Sequence, residues 1–290
     1  MAGAPNPSLP VARHYPGDVT PAAGRAAAFF DLDKTIIARS STLAFSRPLY
    51  AGGLLNRRAV LRSTYAHFMY LVAGADHEQM ERMRAYMSSL VAGWDVAQVR
   101  EIVAETLVDV VTPMVYREAV ALIAEHHDAG RDVVVVSTSG AELVEPIATM
   151  LGADDVIATT MVERDGRYTG EIAFYAYGPN KASAVRELAA RRGYDLEQCH
   201  AYSDSATDLP MLEAVGHPYA VNPDRALRRE ALARGWPVLD FVHPAPLRRR
   251  LTGLTDAAGS RPRVTATAAA ALALTAAVVW AATRARRAAA

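Results

Sequence analysis

The chain has 290 residues, 51% of them hydrophobic, which is enough for one large domain or two modest ones with a buried core. Its 31 Lys and Arg balance 31 Asp and Glu, so it lacks the basic excess typical of a nucleic-acid-binding domain. The single cysteine, Cys199, excludes an intramolecular disulfide framework and fits a reducing compartment.

The N-terminal part contains a lead-in and one short strand. Residues 1–25 are rich in Pro, Gly and Ala and lack the pattern of a secretory signal, so we interpret them as a flexible lead-in. The apolar run Arg25–Phe30 is predicted to form a buried strand. It ends in the sequence Asp31-Leu32-Asp33-Lys34-Thr35, which by itself fits either a helix cap or a reaction centre.

Residues 40–112 predict a helical insertion, because they contain no strand-like run. Asp76 and Asp95 precede amphipathic stretches and are suited to cap helices, and Gly93 is suited to end one. Thr112-Pro113 predicts the start of a further helix, with proline at its first position.

The remainder of the chain alternates strands with helices, which predicts an α/β fold with a parallel sheet. The strongest strand, Arg131–Val136, contains four consecutive valines, a pattern typical of strands buried on both faces. Asp165-Gly166 predicts one hairpin. The other predicted strands are Cys199–Tyr202, Tyr219–Val221 and Val238–Leu239, and the predicted helices include Lys181–Arg192 and Asp208–Ala214.

Polar side chains follow three of these strands. Ligands of open α/β sheets bind beyond the carboxyl ends of the strands, so we expect these side chains to meet at one edge. Taken singly, each fits a helix cap or a solvated residue equally well. The groups are Asp31, Asp33 and Thr35 after the first strand, Ser137-Thr138-Ser139 after the valine strand, Asp204 and Asp208 after the Cys199 strand, and Lys181 at a helix start.

The types of residue in this set indicate phosphate chemistry. Carboxylates that converge repel one another unless a cation lies among them, and oxygen ligands favour a hard cation such as Mg²⁺. A lysine and hydroxyl donors suit a phosphate group. One carboxylate can attack phosphorus to form an aspartyl-phosphate, and a second can transfer protons to and from the reacting oxygens.

Four motifs follow one another in the order of the haloacid dehalogenase-like hydrolase superfamily, and they resemble specifically subfamily IB and its phosphoserine-phosphatase-like group. In chain order they are Asp31-x-Asp33-x-Thr35, Ser137 after the valine strand, Lys181 at a helix start, and Asp204-x-x-x-Asp208. The resemblance covers residues 26–242. It implies a Rossmann-like catalytic core of residues 26–39 and 113–245. It also implies an α-helical, C1-type cap domain of residues 40–112, inserted after the first motif.

The resemblance also implies a role for each matched residue. Asp31 resembles the nucleophile and a magnesium ligand, and Asp33 resembles the general acid/base, whose main-chain carbonyl also contacts the metal. Lys181 resembles the lysine that neutralises the phosphate and the nucleophile. The remaining positions resemble a loop-orienting residue that also belongs to the phosphate-binding set (Thr35), phosphate-binding residues (Ser137 with Thr138), the third metal ligand (Asp204) and the support of the metal site (Asp208).

Two departures from the family pattern concern the substrate. Phosphoserine phosphatases resemble one another in having a glutamate nine residues after the nucleophile, where this chain has Ser40. Their second motif usually reads Ser-Gly-Gly, where this chain has Ser137-Thr138-Ser139. Lys34 stands where many relatives have Gly or Ser. The differences at Ser40 and in the second motif weaken phosphoserine as the substrate and leave the reaction itself unaffected, and no role is assigned to Lys34.

The C-terminal part predicts a linker, residues 246–263, and an apolar helix, residues 264–283. This 20-residue run carries no charge and is long enough to span a bilayer, although half of it is alanine. It fits a transmembrane helix or an Ala-rich helix lying on the domain or on a membrane surface. If it spans, the flanking arginines favour a cytoplasmic catalytic domain anchored to the cell membrane.

The sequence therefore predicts a Mg²⁺-dependent phosphomonoester hydrolase with an aspartyl-phosphate intermediate and a small phosphorylated substrate, either phosphoserine-like or lipid-related. Two alternatives stay open. The same residues would serve a phosphotransferase, and a membrane-tethered regulatory protein could retain the fold without the activity. The sequence gives no indication of the oligomeric state.

Overall fold

A computed structural model describes residues 25–55, 85 and 88–242. All of them belong to one compact unit. The strands are β1 Ala27–Asp31, β2 Asp132–Gly140, β3 Asp155–Arg164, β4 Arg167–Phe174, β5 His200–Ser203, β6 His217–Val221 and β7 Val238–Leu239.

These strands form a seven-stranded sheet in the order β4-β3-β2-β1-β5-β6-β7. Neighbouring strands are parallel except β3 and β4, which form an antiparallel hairpin. The predicted α/β class, the mostly parallel sheet and the Rossmann-like core are confirmed. The predicted hairpin is also present, and Asp165 and Gly166 form its turn with φ angles of 52° and 73°.

The helices lie on both faces of the sheet. Their bounds are α1 Ser41–Ala44, α2 Ser46–Ala51, α3 Val96–Val111, α4 Arg117–Asp128, α5 Ala141–Leu151, α6 Pro179–Arg192, α7 Leu209–Leu212 and α8 Arg225–Arg234. Short 3₁₀ turns occupy Thr112–Met114, Leu196–Gln198 and Ala206–Asp208.

The central strands are buried on both faces, which explains their continuous apolar sequence. Because successive side chains of a strand point to opposite faces, Phe30 packs in the layer with α2 to α5, and Phe29 packs with α6 to α8. The valines of β2 alternate in the same way, with Val135 in the first layer and Val136 in the second.

The predicted helical insertion is described in part. Helices α1, α2 and α3 all lie between β1 and β2, and Asp95 caps α3 by accepting from the N–H of Gln98 at 3.2 Å. Residues 56–84, which include Asp76, lie outside the described residues. A separate cap domain with the bounds 40–112 therefore stays a prediction.

One helix begins later than the sequence predicts. Thr112-Pro113 opens a single 3₁₀ turn, and α4 starts only at Arg117. Met114 accepts from the N–H of Ala38 at 2.8 Å, and the N–H of Tyr116 donates to Ile36 at 2.9 Å. These bonds hold the chain extended after the turn, so tertiary pairing overrides the local signal of the proline.

The two ends of the chain fall mostly outside the described residues. Arg25, assigned to the lead-in by its sequence, forms an ion pair with Asp132 at 2.6 Å and is joined to the sheet. Residues 1–24, 246–263 and 264–283 lie beyond the described part. Among the described residues, none of the helices has the length and apolar character needed to cross a membrane.

Candidate active site

The turn after β1 holds the first two aspartates. The N–H groups of Ile36 and Ile37 both donate to the carbonyl oxygen of Leu32, each at 3.0 Å, and close the chain into a tight loop. Lys34 adopts a φ of 65°, a left-handed conformation that is uncommon for a residue with a side chain. This loop carries Asp31 and Asp33 at the carboxyl end of the central strand.

A buried ion network surrounds Asp31. Lys181 Nζ, at the start of α6, lies 2.6 Å from Asp31 Oδ1 and 2.8 Å from Asp208 Oδ2. Ser203, the last residue of β5, donates to the same oxygen of Asp208 at 2.8 Å. All four side chains are buried. The prediction that Lys181 would meet carboxylates from two different strand ends agrees with this geometry.

The pKa values within the network follow from burial and charge. Burial raises the pKa of Asp31 well above its ordinary value, against the opposing effect of the Lys181 ammonium, and the Asp208 and Asp204 carboxylates add to the increase. Burial alone would lower the pKa of Lys181, but Asp208 and Asp31 raise it above its usual range. The lysine is therefore held as an ammonium between two carboxylates.

Asp33 lies beside a different set of donors. Its Oδ1 accepts from the main-chain N–H of Ser41 at 2.7 Å, and its Oδ2 accepts from the hydroxyl of Ser139 at 3.1 Å. Burial raises the pKa of Asp33, and the hydrogen bonds from Ser41 and Ser139 partly oppose this increase. Asp33 is thus fixed by neutral donors, and the Lys181 ammonium acts on its pKa only as a more distant charge that lowers it.

Asp204 follows β5, and its ion pair within the described part of the chain is long. The partner, Lys34, is half exposed, and its Nζ lies 3.9 Å from Asp204 Oδ2. Burial raises the pKa of Asp204 to about 7, with Lys34 opposing the increase and the carboxylates of Asp208 and Asp224 adding to it. Because the ion pair with Lys34 is long and other carboxylates lie nearby, the negative charge of Asp204 is only partly balanced, and we call it under-neutralised.

The predicted phosphate-binding residues are placed differently from one another. Ser137 is buried, and its hydroxyl accepts from the N–H of Ser139 at 3.2 Å. The Thr138 hydroxyl donates to the carbonyl oxygen of Ala176 at 2.9 Å, so it is engaged within the fold. Thr35 is fully buried, and its hydroxyl has no hydrogen-bond partner in the described part of the chain. The phosphate-binding roles of these three residues stay predictions.

The donor set fits a magnesium ion better than a metal held mainly by side chains. No group of three or more His, Cys, Asp or Glu side chains suited to a metal converges within residues 25–55, 85 and 88–242. Mg²⁺ needs few side chains, because it usually keeps several waters. Asp31, Asp204 and the main-chain carbonyl of Asp33 supply hard oxygen donors, and the under-neutralised Asp204 provides a reason for a cation there. Asp208, already engaged by Lys181 and Ser203, is better placed to act through that lysine.

Three serines of the site had no predicted role, although Ser139 was among the side chains expected at this edge of the sheet. Ser203 orients Asp208, and Ser41 and Ser139 contact Asp33. Ser139 lies within the second motif, at a position where phosphoserine phosphatases usually have glycine. This difference was the one signal in the sequence that could have indicated a role for its hydroxyl. Ser41 acts through its main-chain N–H, and no side-chain pattern could have revealed that contact.

The fold and the site together define a class of protein. A parallel α/β sheet carries an aspartate at the end of its central strand, joined to a buried lysine and flanked by a second aspartate, as expected for phosphoryl transfer through an aspartate. The haloacid dehalogenase-like hydrolase family profile matches residues 28–213. The chain belongs to this family of hydrolases, and the predicted enzyme class is confirmed.

Three relatives are similar to the chain over most of its length. The chain is 65% identical over 264 residues to the "Inhibition of morphological differentiation protein" of Streptomyces azureus, covering 90% of this chain and 95% of that protein. It is 65% identical over 243 residues to a probable phosphatase of Mycobacterium tuberculosis, with 84% of each chain covered. It is also 35% identical to a phosphoserine phosphatase of the same organism, covering 79% of this chain and 73% of the relative.

Solved structures support the fold. A protein of unknown function from Bordetella pertussis is 32% identical, has a TM-score of 0.67, and matches over 75% of this chain and 99% of its own. A phospho-aspartyl intermediate analogue of phosphoserine phosphatase, 20% identical, has a TM-score of 0.55 over 75% of this chain and 93% of its own. At that identity the second likeness concerns the fold alone.

Proposed function

We propose that the protein is a Mg²⁺-dependent phosphomonoesterase that acts through an aspartyl-phosphate on Asp31. The observation that carries this proposal is the buried contact of Asp31 with Lys181, since it brings a carboxylate and a fixed ammonium to one point. Asp33, two residues away and separately hydrogen-bonded, is available for proton transfer.

The reaction has two balanced steps. Asp31 Oδ forms a bond to phosphorus while the bond from phosphorus to the leaving oxygen breaks, and Asp33 gives that oxygen a proton. Water then attacks the phosphorus of the aspartyl-phosphate, Asp33 takes a proton from it, and the bond to Asp31 breaks. Lys181 offsets the negative charge of Asp31 and of the phosphoryl oxygens throughout.

A magnesium ion would be held by Asp31, Asp204 and the main-chain carbonyl of Asp33. When bound, it would supply positive charge that offsets repulsion between the attacking carboxylate and the phosphate dianion. Asp208 keeps Lys181 in place, because both the lysine and Ser203 donate to its Oδ2.

The substrate we propose is a small phosphorylated metabolite, with phosphoserine disfavoured. The relative named phosphoserine phosphatase supports a small organic phosphate. Ser40, in place of the glutamate of the phosphoserine-phosphatase pattern, caps α1, and its hydroxyl accepts from the N–H of Leu43 at 3.5 Å. A neutral capping residue at this position lacks the negative charge that would attract a substrate ammonium group.

A lipid-related substrate depends on residues 264–283, which we propose as a membrane anchor of a cytoplasmic catalytic domain. This proposal rests on the length and composition of that segment. Membrane fractionation of the full chain and of a chain shortened before residue 260 tests it. We expect only the full chain in the membrane fraction, and recovery of both chains in the soluble fraction would contradict the anchor.

The central test is hydrolysis of 4-nitrophenyl phosphate with Mg²⁺ and with excess chelator. We expect activity that the chelator abolishes and that Asp31→Asn reduces by a factor of at least about 10³, because the nucleophile is lost. Wild-type activity in Asp31→Asn would contradict the covalent route.

Two further experiments address the alternatives. Adding an alcohol and analysing the products separates hydrolysis from phosphotransfer, and a screen containing phosphoserine and lysophosphatidic acid addresses the substrate. A regulatory protein without activity would hydrolyse none of these compounds.

A further inference from the structure

A group of hydroxyls lies beside Asp33 that the two reaction steps above do not use. We call Ser41, Thr42 and Ser139 the hydroxyl cluster. Ser139 Oγ lies 2.8 Å from Ser41 Oγ and 3.2 Å from Thr42 Oγ1, in addition to its 3.1 Å contact with Asp33 Oδ2. Ser41 and Ser139 are both buried, so water does not readily replace these partners.

The two carboxyl oxygens of Asp33 have partners of different kinds. Oδ1 accepts from the main-chain N–H of Ser41, a group that can only donate. Oδ2 faces the hydroxyl of Ser139, which can donate to a carboxylate or accept from a carboxylic acid. The proton that Asp33 transfers is therefore accommodated at Oδ2, next to Ser139.

We propose that Ser139 is a positioning residue that holds Asp33 Oδ2 for proton transfer, both when Asp33 donates and when it accepts. The proposal rests on the proposed function, in which Asp33 performs both transfers. When Asp33 is a carboxylate, Ser139 donates to it and accepts from the hydroxyls of Ser41 and Thr42. When Asp33 carries the proton on Oδ2, Ser139 accepts from it and donates to one of those hydroxyls; as the proton turns to the leaving oxygen and is transferred, Ser139 turns its own hydrogen back to Oδ2 of the resulting carboxylate. Rotation of hydroxyl hydrogens is sufficient, and the heavy atoms stay in place.

Ser139 departs from the phosphoserine-phosphatase pattern. It is the third residue of the second motif, where phosphoserine phosphatases usually have glycine, which has no side-chain donor. Ser41 and Thr42 lie on α1, the first helix after the catalytic turn, whereas Ser139 lies on β2. The cluster thus connects the proton-transfer residue to two separate elements.

The test compares two substrates of nearly equal shape, 4-nitrophenyl phosphate and phenyl phosphate. The 4-nitrophenolate ion leaves readily without a proton, whereas phenol, with a pKa of about 10 like that of tyrosine, gains much more from an acid. We expect Ser139→Ala to lower kcat/KM about tenfold for phenyl phosphate and about twofold for 4-nitrophenyl phosphate, because one hydrogen bond to Asp33 is lost. Ser139→Thr, which keeps the hydroxyl, should restore most of the phenyl phosphate activity.

A pair of changes at Ser41 tests the other oxygen of Asp33. Ser41 is the first residue of α1, a position that tolerates proline, and Ser40 before it is extended with φ −66° and ψ 125°, as proline requires. Ser41→Pro removes the N–H that Asp33 Oδ1 accepts from, whereas Ser41→Ala removes only the hydroxyl. We expect both variants to lower kcat/KM for phenyl phosphate more than kcat/KM for 4-nitrophenyl phosphate. The difference between the two esters should be larger in Ser41→Pro than in Ser41→Ala.

The outcomes separate this proposal from the proposed function. Failure of the wild type to hydrolyse either ester in the presence of Mg²⁺ would overturn the proposed function and this inference with it. Activity that depends on Asp31, together with a Ser139→Ala variant that affects both esters equally or neither, would overturn only the role of Ser139. Thermal unfolding of each variant identifies any loss of activity that is due to misfolding. Such a loss would lower the activity towards both esters together, and Ser139→Thr would not share it.

Discussion

Two sets of buried titratable residues, each next to the central sheet, are stabilised in opposite ways. At the carboxyl ends of β1 and β5, the side chains of Asp31, Asp208 and Lys181 form ion pairs at 2.6 and 2.8 Å. On the face covered by α4, the rings of His126 and Tyr202 are packed together and uncharged. The first set concentrates charge and the second excludes it.

The uncharged state of His126 follows from its partners. Its Nδ1 accepts from the Arg131 Nε–H at 2.7 Å, and its Nε2 lies 2.9 Å from the hydroxyl of Tyr202. Because an arginine only donates, Nδ1 must be unprotonated, and the proton of the neutral ring lies on Nε2. Burial, with added repulsion from His200 and Arg131, lowers the pKa of His126 to about 3. The ring of Phe30 stacks on the ring of Tyr202, with 4.3 Å between the two ring centroids.

The comparison of the two sets shows where this fold contains buried charged groups. Charge stays buried only where opposite groups neutralise one another or where a cation can enter, as at Asp204. Elsewhere burial suppresses ionisation. The charged set is therefore expected to be sensitive to loss of one partner, and the uncharged set to pH.

The largest effect is expected from removing the lysine of the charged set. Lys181→Met leaves the buried carboxylates of Asp31 and Asp208 without their cation and should lower the free energy of unfolding by about 3–5 kcal/mol at pH 7. Urea unfolding measures it. The matched control is Arg228→Met, which breaks a 3.5 Å ion pair with the exposed Asp240 and should cost about 1 kcal/mol or less. Equal losses in the two variants would mean that burial does not strengthen the Lys181 network.

The next effect concerns the cation at the same end of the sheet. Adding Mg²⁺ to chelator-treated protein should stabilise the folded state by about 2.7 kcal/mol when its concentration is 100 times Kd, because the ion binds the folded site. Thermal unfolding with increasing Mg²⁺ records the shift in Tm. Asp204→Asn removes a proposed ligand and should abolish most of the shift. A shift of full size in that variant would place the ion elsewhere.

The smallest effect is expected from the uncharged set, as a loss of stability in mild acid. The folded-state pKa of His126 is lowered to about 3 from an ordinary 6.5, so the unfolded chain binds more protons between these values. Stability is therefore complete above pH 6.5 and falls as the pH decreases towards 3, by about 2 kcal/mol from this residue at pH 5.

Urea unfolding at pH 7 and pH 5 measures this difference. His126→Gln keeps a donor near Tyr202 and lacks the titrating ring, so the difference between the two pH values should shrink. His127→Gln, on the exposed side of α4, is the matched control and should keep the larger difference. An unchanged difference in His126→Gln would show that other groups cause the acid sensitivity.

The fold was predicted well where the local signal and the tertiary environment agree. The valines of β2 and the turn at Asp165-Gly166 lie where their sequence indicates. The prediction was wrong at Pro113, because main-chain pairing of Met114 and Tyr116 with the catalytic turn holds the chain extended. A proline signal describes only its own neighbourhood, and that pairing involves residues more than 70 positions away.

The candidate site was predicted by residue type, and its internal connections were not. Asp31, Lys181 and Asp208 meet as their motifs indicated. The contacts of Ser41 and Ser139 with Asp33 were missed, since one uses a main-chain N–H and the other depends on how β2 lies against the turn. The assignment of Asp208 as a metal residue stays a prediction, although its partners favour a role in holding Lys181.

The class of fold, the family and the set of chemical groups could be predicted from the sequence, because the strand pattern and the order of the motifs are properties of the sequence. Which of these groups are partners depends on the tertiary structure. It paired Lys181 with two carboxylates, left Asp204 under-neutralised, and surrounded Asp33 with hydroxyls. Burial raises or lowers a pKa according to the neighbours that enclose a group, and those neighbours come from distant parts of the chain.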